Sequence, residues 1–211
     1  MLSEKFIKKY LRMAKQVGED SNPCLSRSIG VVVVNLEQNR VVSVGYNGPP
    51  KGTPHPDDPS YLRDIVWPQL TDVEKESVRI QRKVCDADSF AEAYGNCGKC
   101  PRKIVGAASG QRLEICSCEH GERNAVTNSV EALHGAWMIC WCGVPCWECS
   151  KVIINAGIKR VVCTNWGSGD YSMGSRWLLT RGGVGIDLRD PDTLDRVEYI
   201  PHLIRTVTGF I

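Results

Sequence analysis

No apolar run in the 211-residue sequence approaches the ~20 residues needed to span a membrane. Nor does either charge dominate: 26 Lys and Arg stand against 24 Asp and Glu, a formal net of +2 with four neutral histidines. That balance argues against a non-specific polyanion binder, which normally carries a basic surplus. Internal repeats and low-complexity tracts are missing too. The start, Met1-Leu2-Ser3-Glu4-Lys5, has charges where a signal peptide has its apolar core, so a cytoplasmic setting is expected. Hydrophobic residues at 42% and charged residues at 24% are ordinary for a globular protein, and the length can bury a core without staples. Cysteine is the exception, with eleven residues, an odd number. Reduced thiols in the cytoplasm make metal ligation a stronger reading than a disulfide framework.

Residues 4–17 place Phe6, Ile7, Tyr10, Leu11 and Ala14 on one helical face, with Ser3 as N-cap and Gly18 as the stop. Ser28 to Val34 and Val41 to Val44 read as a β-hairpin around a polar turn. Prolines 49, 50, 54, 56 and 59 then interrupt regular structure, and Thr71-Asp72-Val73-Glu74 is a capping box opening a helix to about Val84. After Cys85 a loop rich in Gly, Ser and Cys is expected. The second half alternates. Helices are expected at 121–133, 146–156 and 172–180, and strands at 137–142, 160–164 and 183–188. Helices alternating with strands after a hairpin imply an α/β sandwich, with a mixed sheet of about five strands flanked by helices. The expected organisation is one domain over residues 1–211, interrupted by an insertion at 49–115.

Cys146 and Cys149 open a helix directly after a strand and follow Pro145. The positive end of the helix dipole favours thiolate there, and proline costs little at such a junction. Upstream, His120-Gly121-Glu122 also sits at a helix start. One imidazole and two thiolates are three zinc ligands, leaving a fourth position for a water whose pKa the metal lowers. Glu122 lies two residues beyond His120, close enough to exchange protons with that water. H-x-E followed by P-C-x-x-C is the joint signature of zinc deaminases, and far more specific than either half. Two competing readings are a structural site completed by Cys118 or Cys142, and a redox C-x-x-C pair. The first leaves Glu122 and Pro145 unexplained, and the second has no use for His120.

Several stretches carry a resemblance to the cytidine deaminase superfamily, and within it to the deoxycytidylate deaminase family. They are Cys24-Leu25-Ser26-Arg27 before Ile29-Gly30-Val31-Val32, Gly45-Tyr46-Asn47-Gly48 with Pro50, Gly52 and Pro54-His55, Cys118 to Ala125, and Pro145 to Val162. The resemblance covers 1–55 and 115–190 and implies a three-layer sandwich. It also implies catalytic zinc on His120, Cys146 and Cys149, with Glu122 as proton shuttle in converting a cytosine nucleotide, dCMP, to dUMP. It implies that Asn47 and the Gly121 N–H contact substrate. Arg27 is a further candidate, and so is Tyr171, which lies in Gly169-Asp170-Tyr171-Ser172, a loop expected at a strand end where α/β sheets bind ligands. A homo-oligomer, often a hexamer, and a deoxynucleotide triphosphate effector belong to the same implication. Gly121 stands where the family usually has alanine, which would widen the space beside the base. Trp141 and Trp147 near the site resemble the polynucleotide deaminases, so a tRNA or single-stranded DNA substrate is one alternative, and a non-catalytic zinc assembly module is another. The small net charge disfavours nucleic acid.

Cys97-Gly98-Lys99-Cys100 and Cys116-Ser117-Cys118 are two close pairs that suggest a second, structural Cys₄ zinc. Cys85, Cys24 and His55 are alternative ligands. Few large apolar residues lie between Glu92 and Glu114, so metal is the expected source of order there. Cys140, Cys142 and Cys163 alternate with apolar residues and are expected in the core.

Overall fold

Gly30–Asn35 (β1) is apolar from Val31 to Val34 because both of its faces are covered. The computed structural model describes residues 3–21, 23–108, 110–164 and 170–203, the side chains of Asp170 and Tyr171 excepted. In chain order its longer elements are α1 (Glu4–Ser21), β1, β2 (Arg40–Tyr46), α2 (Asp72–Arg82), α3 (Ala87–Tyr94), α4 (Gly121–Thr127), β3 (Trp137–Cys140), α5 (Trp147–Asn155), β4 (Arg160–Thr164), α6 (Asp170–Arg181), β5 (Gly185–Arg189) and β6 (Arg196–Ile200). The strands form one mixed sheet in the order β2-β1-β3-β4-β5-β6. β1 is antiparallel to β2 and β3, the three strands β3 to β5 run parallel, and β6 returns antiparallel. No helix among the described residues is long and apolar enough to cross a membrane.

The α/β sandwich expected from the sequence is present, with six strands where about five were expected. The unexpected strand, β6, has four exposed positions out of five, so it carries no hydrophobic alternation to announce it. On one side of the sheet Val31, Val33, Met138 and Val161 pack with Ala125 of α4, Ile153 of α5 and Leu179 of α6. On the other, Val32, Val34, Ile139 and Val162 pack against Ile7, Tyr10, Leu11 and Ala14 of α1.

Gly18 does not stop α1, which runs on to Ser21. Its role is close packing: a Cβ on Gly18 would lie 2.7 Å from the Gly30 nitrogen, so the helix rests directly on β1. Gly45 does the same for β2. A Cβ there would meet Gly121 O at 2.1 Å and Ala125 N at 2.4 Å, both backbone atoms of α4. Gly45→Ala should therefore push α4 away, costing about 1–3 kcal/mol as overpacking does. A lower denaturant midpoint together with lost zinc retention is the expected result, and an unchanged midpoint would contradict it.

The chain divides into two compact units, one carrying α1, the sheet and α4 to α6, the other comprising Pro23–Arg27 and Gly48–Glu119. The expected insertion, 49–115, lies within the second unit, but its interior differs from the expected loop. Asp86 caps α3 in a reciprocal box with Ser89, and short helical turns occupy Pro59–Tyr61, Leu62–Val66, Trp67–Gln69 and Pro101–Ile104. This unit has its own apolar core of Leu62, Val66, Val78, Phe90 and Ile115, with the Phe90 ring 5.4 Å from Trp67 and 5.1 Å from Tyr94. The order of the insertion thus has a hydrophobic source, because core residues before Glu92 fold together with those after it.

Candidate active site

His120 and Cys146 are the N-cap residues of α4 and α5, each with extended backbone, and Cys149 sits in the first turn of α5. The two helix N-termini therefore present their ligand side chains to one point, where helix dipoles favour thiolate. His120 Nδ1 is 3.4 Å from Cys146 Sγ and 3.4 Å from Cys149 Sγ. Tetrahedral zinc, with bonds of about 2.0–2.1 Å to nitrogen and about 2.3 Å to sulfur, sets that separation near 3.6 Å. The donors therefore fit the metal. Among the described residues, this is the group of three His, Cys, Asp or Glu side chains whose donor atoms all lie within 4.8 Å of one another. A hydrogen bond from the Cys149 thiol, helped by His120, holds Cys146 down at about 3, and the same thiol bond pushes Cys149 up.

Glu122, on the first turn of α4, is 4% exposed. Burial raises its pKa, opposed by the nearby His120. Cys142 Sγ lies 3.8 Å from Glu122 Oε1, while Oε2 is buried without a hydrogen-bond partner in the protein. A buried carboxylate oxygen left open is costly in a purely structural site. It fits one that receives a proton from a bound molecule.

Asn47, 5% exposed at the end of β2, accepts a 2.7 Å hydrogen bond on Oδ1 from the Gly121 N–H. The two expected substrate contacts thus meet each other. The Gly121 donor, expected to face a pyrimidine, serves Asn47 because the first N–H groups of a helix need acceptors. Asn47 keeps its Nδ2 donors for other partners. A Cβ on Gly121 would come 3.2 Å from Tyr46 Cα, so the missing methyl faces β2 rather than widening the space beside a base. Trp141 packs in the α1 layer with Lys15 5.3 Å over its ring, and so does not crowd the His120, Cys146 and Cys149 side chains as expected. Trp147, by contrast, is 44% exposed on α5. Tyr171 begins in the first turn of α6, and its side chain lies outside the described residues.

A family model for the cytidine and deoxycytidylate deaminase zinc-binding region matches residues 4–165. The chain belongs to this deaminase family. The deoxycytidylate deaminase of Schizosaccharomyces pombe is 28% identical over 193 residues, covering 91% of this chain and 43% of that protein. The deoxycytidylate deaminase of Saccharomyces cerevisiae is 26% identical over 183 residues, covering 85% and 43%. This chain thus spans less than half the length of these curated relatives. The dCMP deaminase from the cyanophage S-TIM5, solved in complex with dCMP and dUMP, superposes with a TM-score of 0.52 at 20% identity. That match covers 89% of this chain and 99% of the phage chain, and it shows the cytidine deaminase fold.

The second unit of this deaminase-family chain holds the remaining expected ligands. Cys97 and Cys85 are exposed, and Cys100 is buried. The Cys118 thiol is hydrogen-bonded with both Cys116 and Cys24, and Cys100 feels Cys116 and Cys24 electrostatically. The Cys118 thiol lowers Cys116 to about 6. The neighbouring thiols are therefore Cys24, Cys100, Cys116 and Cys118, with Cys24 in place of the expected Cys97. His55 has both ring nitrogens engaged, Nδ1 with Asp57 and Nε2 with Pro23 O at 2.9 Å. That second bond ties down the segment carrying Cys24. Arg27 is exposed at the end of the same segment. Sequence reasoning weighed Cys142 as a fourth ligand of a structural site and otherwise expected it in the core, and it missed the contact of the Cys142 thiol with Glu122. Its position two residues beyond Cys140, which is buried on the zinc-side face of the sheet, was the available signal.

Proposed function

We propose that the chain catalyses zinc-dependent hydrolytic deamination of a free cytosine nucleotide, dCMP, giving dUMP and ammonia. The observation that carries this reading is the unpartnered Oε2 of buried Glu122 beside the His120, Cys146 and Cys149 donors. The names of the two fungal relatives and of the phage enzyme support the choice of dCMP. Zinc held by the three donors would supply a Lewis acid that lowers the pKa of a water toward neutrality. Glu122 takes a proton from that water through Oε2. It hands that proton to N3 as the water oxygen bonds to C4 of the ring, then carries the water's second proton to the amine as the C4–N bond breaks, so water and dCMP become dUMP and ammonia. Asn47, fixed through Oδ1 by Gly121, turns its Nδ2 donors to the nucleotide. The polynucleotide alternative loses the support that Trp141 lent it, since that ring lies in the α1 layer.

The same reading includes a second, closed zinc held by Cys24, Cys100, Cys116 and Cys118. The hydrogen bonds of Cys118 with Cys116 and Cys24, and the electrostatic influence of Cys116 and Cys24 on Cys100, support it; the four donors do not form a preassembled cluster like that of His120, Cys146 and Cys149, so ligation would have to gather them. The second unit is then an insertion within one deaminase domain. A homo-oligomer, a deoxynucleotide triphosphate effector and a cytoplasmic setting complete the reading. The first two rest on the family resemblance alone. The test pairs zinc stoichiometry with ammonia release from dCMP, CMP and dCTP. Two zinc ions per chain and fastest release from dCMP are expected. Absence of release from every nucleotide would sink the reading, and one zinc per chain would remove the second site.

A further inference from the structure

Cys142 lies just past β3, and its carbonyl is held by two donors of Thr164 at the end of β4, the backbone N–H and the Oγ1 hydroxyl, each at 2.8 Å. Thr164 is fully buried, so this part of the chain is pinned to the sheet rather than left as a free loop. Cys142 is 7% exposed; its sulfur accepts from the Cys140 thiol, and its own thiol has two oxygen acceptors within reach, Gly143 O at 3.2 Å and Glu122 Oε1 at 3.8 Å. A thiol has one proton and gives it to one acceptor at a time. The charged carboxylate is the stronger acceptor, although sulfur is a weak donor. The other oxygen of Glu122 is buried and receives nothing from the protein. The two oxygens are thus made unequal by a neighbour that is neither a zinc ligand nor part of the deaminase signature.

We infer that Cys142 is a positioning residue for the reaction: its thiol fixes Oε1 of Glu122 so that Oε2 is the oxygen that exchanges protons with substrate. The inference rests on the assignment of Glu122 as proton carrier. Without the thiol, the carboxylate is free to rotate about its last bond and to present either oxygen. The loss falls on the chemical step and not on nucleotide binding, because Cys142 is not among the groups assigned to hold the nucleotide.

The test is Cys142→Ala beside Cys142→Ser, with zinc content measured on both. Cys142→Ala is expected to lower kcat about tenfold, the lower end for a hydrogen bond to a charged group, with KM within about twofold. Cys142→Ser keeps a donor and is expected to recover kcat to within about threefold. Equal losses in both variants would show a packing role and overturn the inference, as would full kcat in Cys142→Ala or loss of its zinc. A second readout does not need turnover. The S–H infrared band that disappears in Cys142→Ala should move in Glu122→Ala, where its carboxylate acceptor is gone. An unmoved band overturns the inference even if the protein deaminates dCMP. A moved band in a protein that deaminates nothing sustains the contact and refutes the proposed function instead.

Discussion

Glu122→Gln is expected to lower dCMP turnover about 10³- to 10⁴-fold while the protein keeps its catalytic zinc. The substitution preserves shape and leaves an acceptor at Oε1 for Cys142, so the loss isolates the proton-carrying function. Burial already raises the Glu122 pKa, which brings a carboxyl closer to the neutral range where it can both take and give a proton. An amide can do neither. Because Glu122 is not among the three clustered donors, metal analysis should find the same zinc as in the unsubstituted protein. Ammonia release at the unsubstituted rate would remove Glu122 from the mechanism. Loss of zinc together with activity would instead make it part of the metal site.

The clustering of His120, Cys146 and Cys149 was legible because its chemistry is local. His120 and Cys146 cap helices, and each helix start shows in the sequence, as Gly121 onward and as Pro145 before Cys146. The partnerships that escaped depend on atoms that meet across the fold. Nothing in the spacing says that the Gly121 N–H turns to Asn47, 74 positions earlier in the chain, or that the Cys142 thiol reaches Glu122. The glycines illustrate the same limit. Gly18 carries the signature of a helix stop, yet it lies buried within α1 against β1, because close approach and chain reversal favour the same residue. In the insertion, the cysteine pairs drew attention to metal and away from Asp86-Ala87-Asp88-Ser89, whose capping box opens α3. Trp141 alternates with Cys140 and Cys142, and that alternation, rather than its nearness in sequence to Cys146, assigns it to the α1 layer.

β6 could not be found from hydrophobic alternation, because beside its backbone pairing with β5 it is held by an ion-pair network. Asp187 on β5 is fully buried and accepts from Arg189 at 2.7 and 2.8 Å and from Arg196 of β6 at 3.1 and 3.3 Å. Arg189, also fully buried, reaches on to Glu4 of α1 at 2.5 Å. Asp187→Ala should destabilise the protein by about 3–5 kcal/mol, because it strands the Arg189 guanidinium in the interior with Glu4 alone for neutralisation. Glu4→Ala should cost about 1 kcal/mol or less, since the Glu4 side chain is 57% exposed and solvent screens it. The Arg189 hydrogen bond lowers the Glu4 pKa, so its small contribution is present above the ordinary glutamate range and fades as pH falls through it. The ordering of the two variants separates the alternatives. Chemical unfolding at neutral pH that finds Asp187→Ala no worse than Glu4→Ala would mean that water reaches Arg189 and that the network is a surface one. The expected order, with Asp187→Ala far below, would mean that a buried charge cluster joins α1, β5 and β6 at the edge of the sheet, and the catalytic zinc should be retained in both variants while they remain folded.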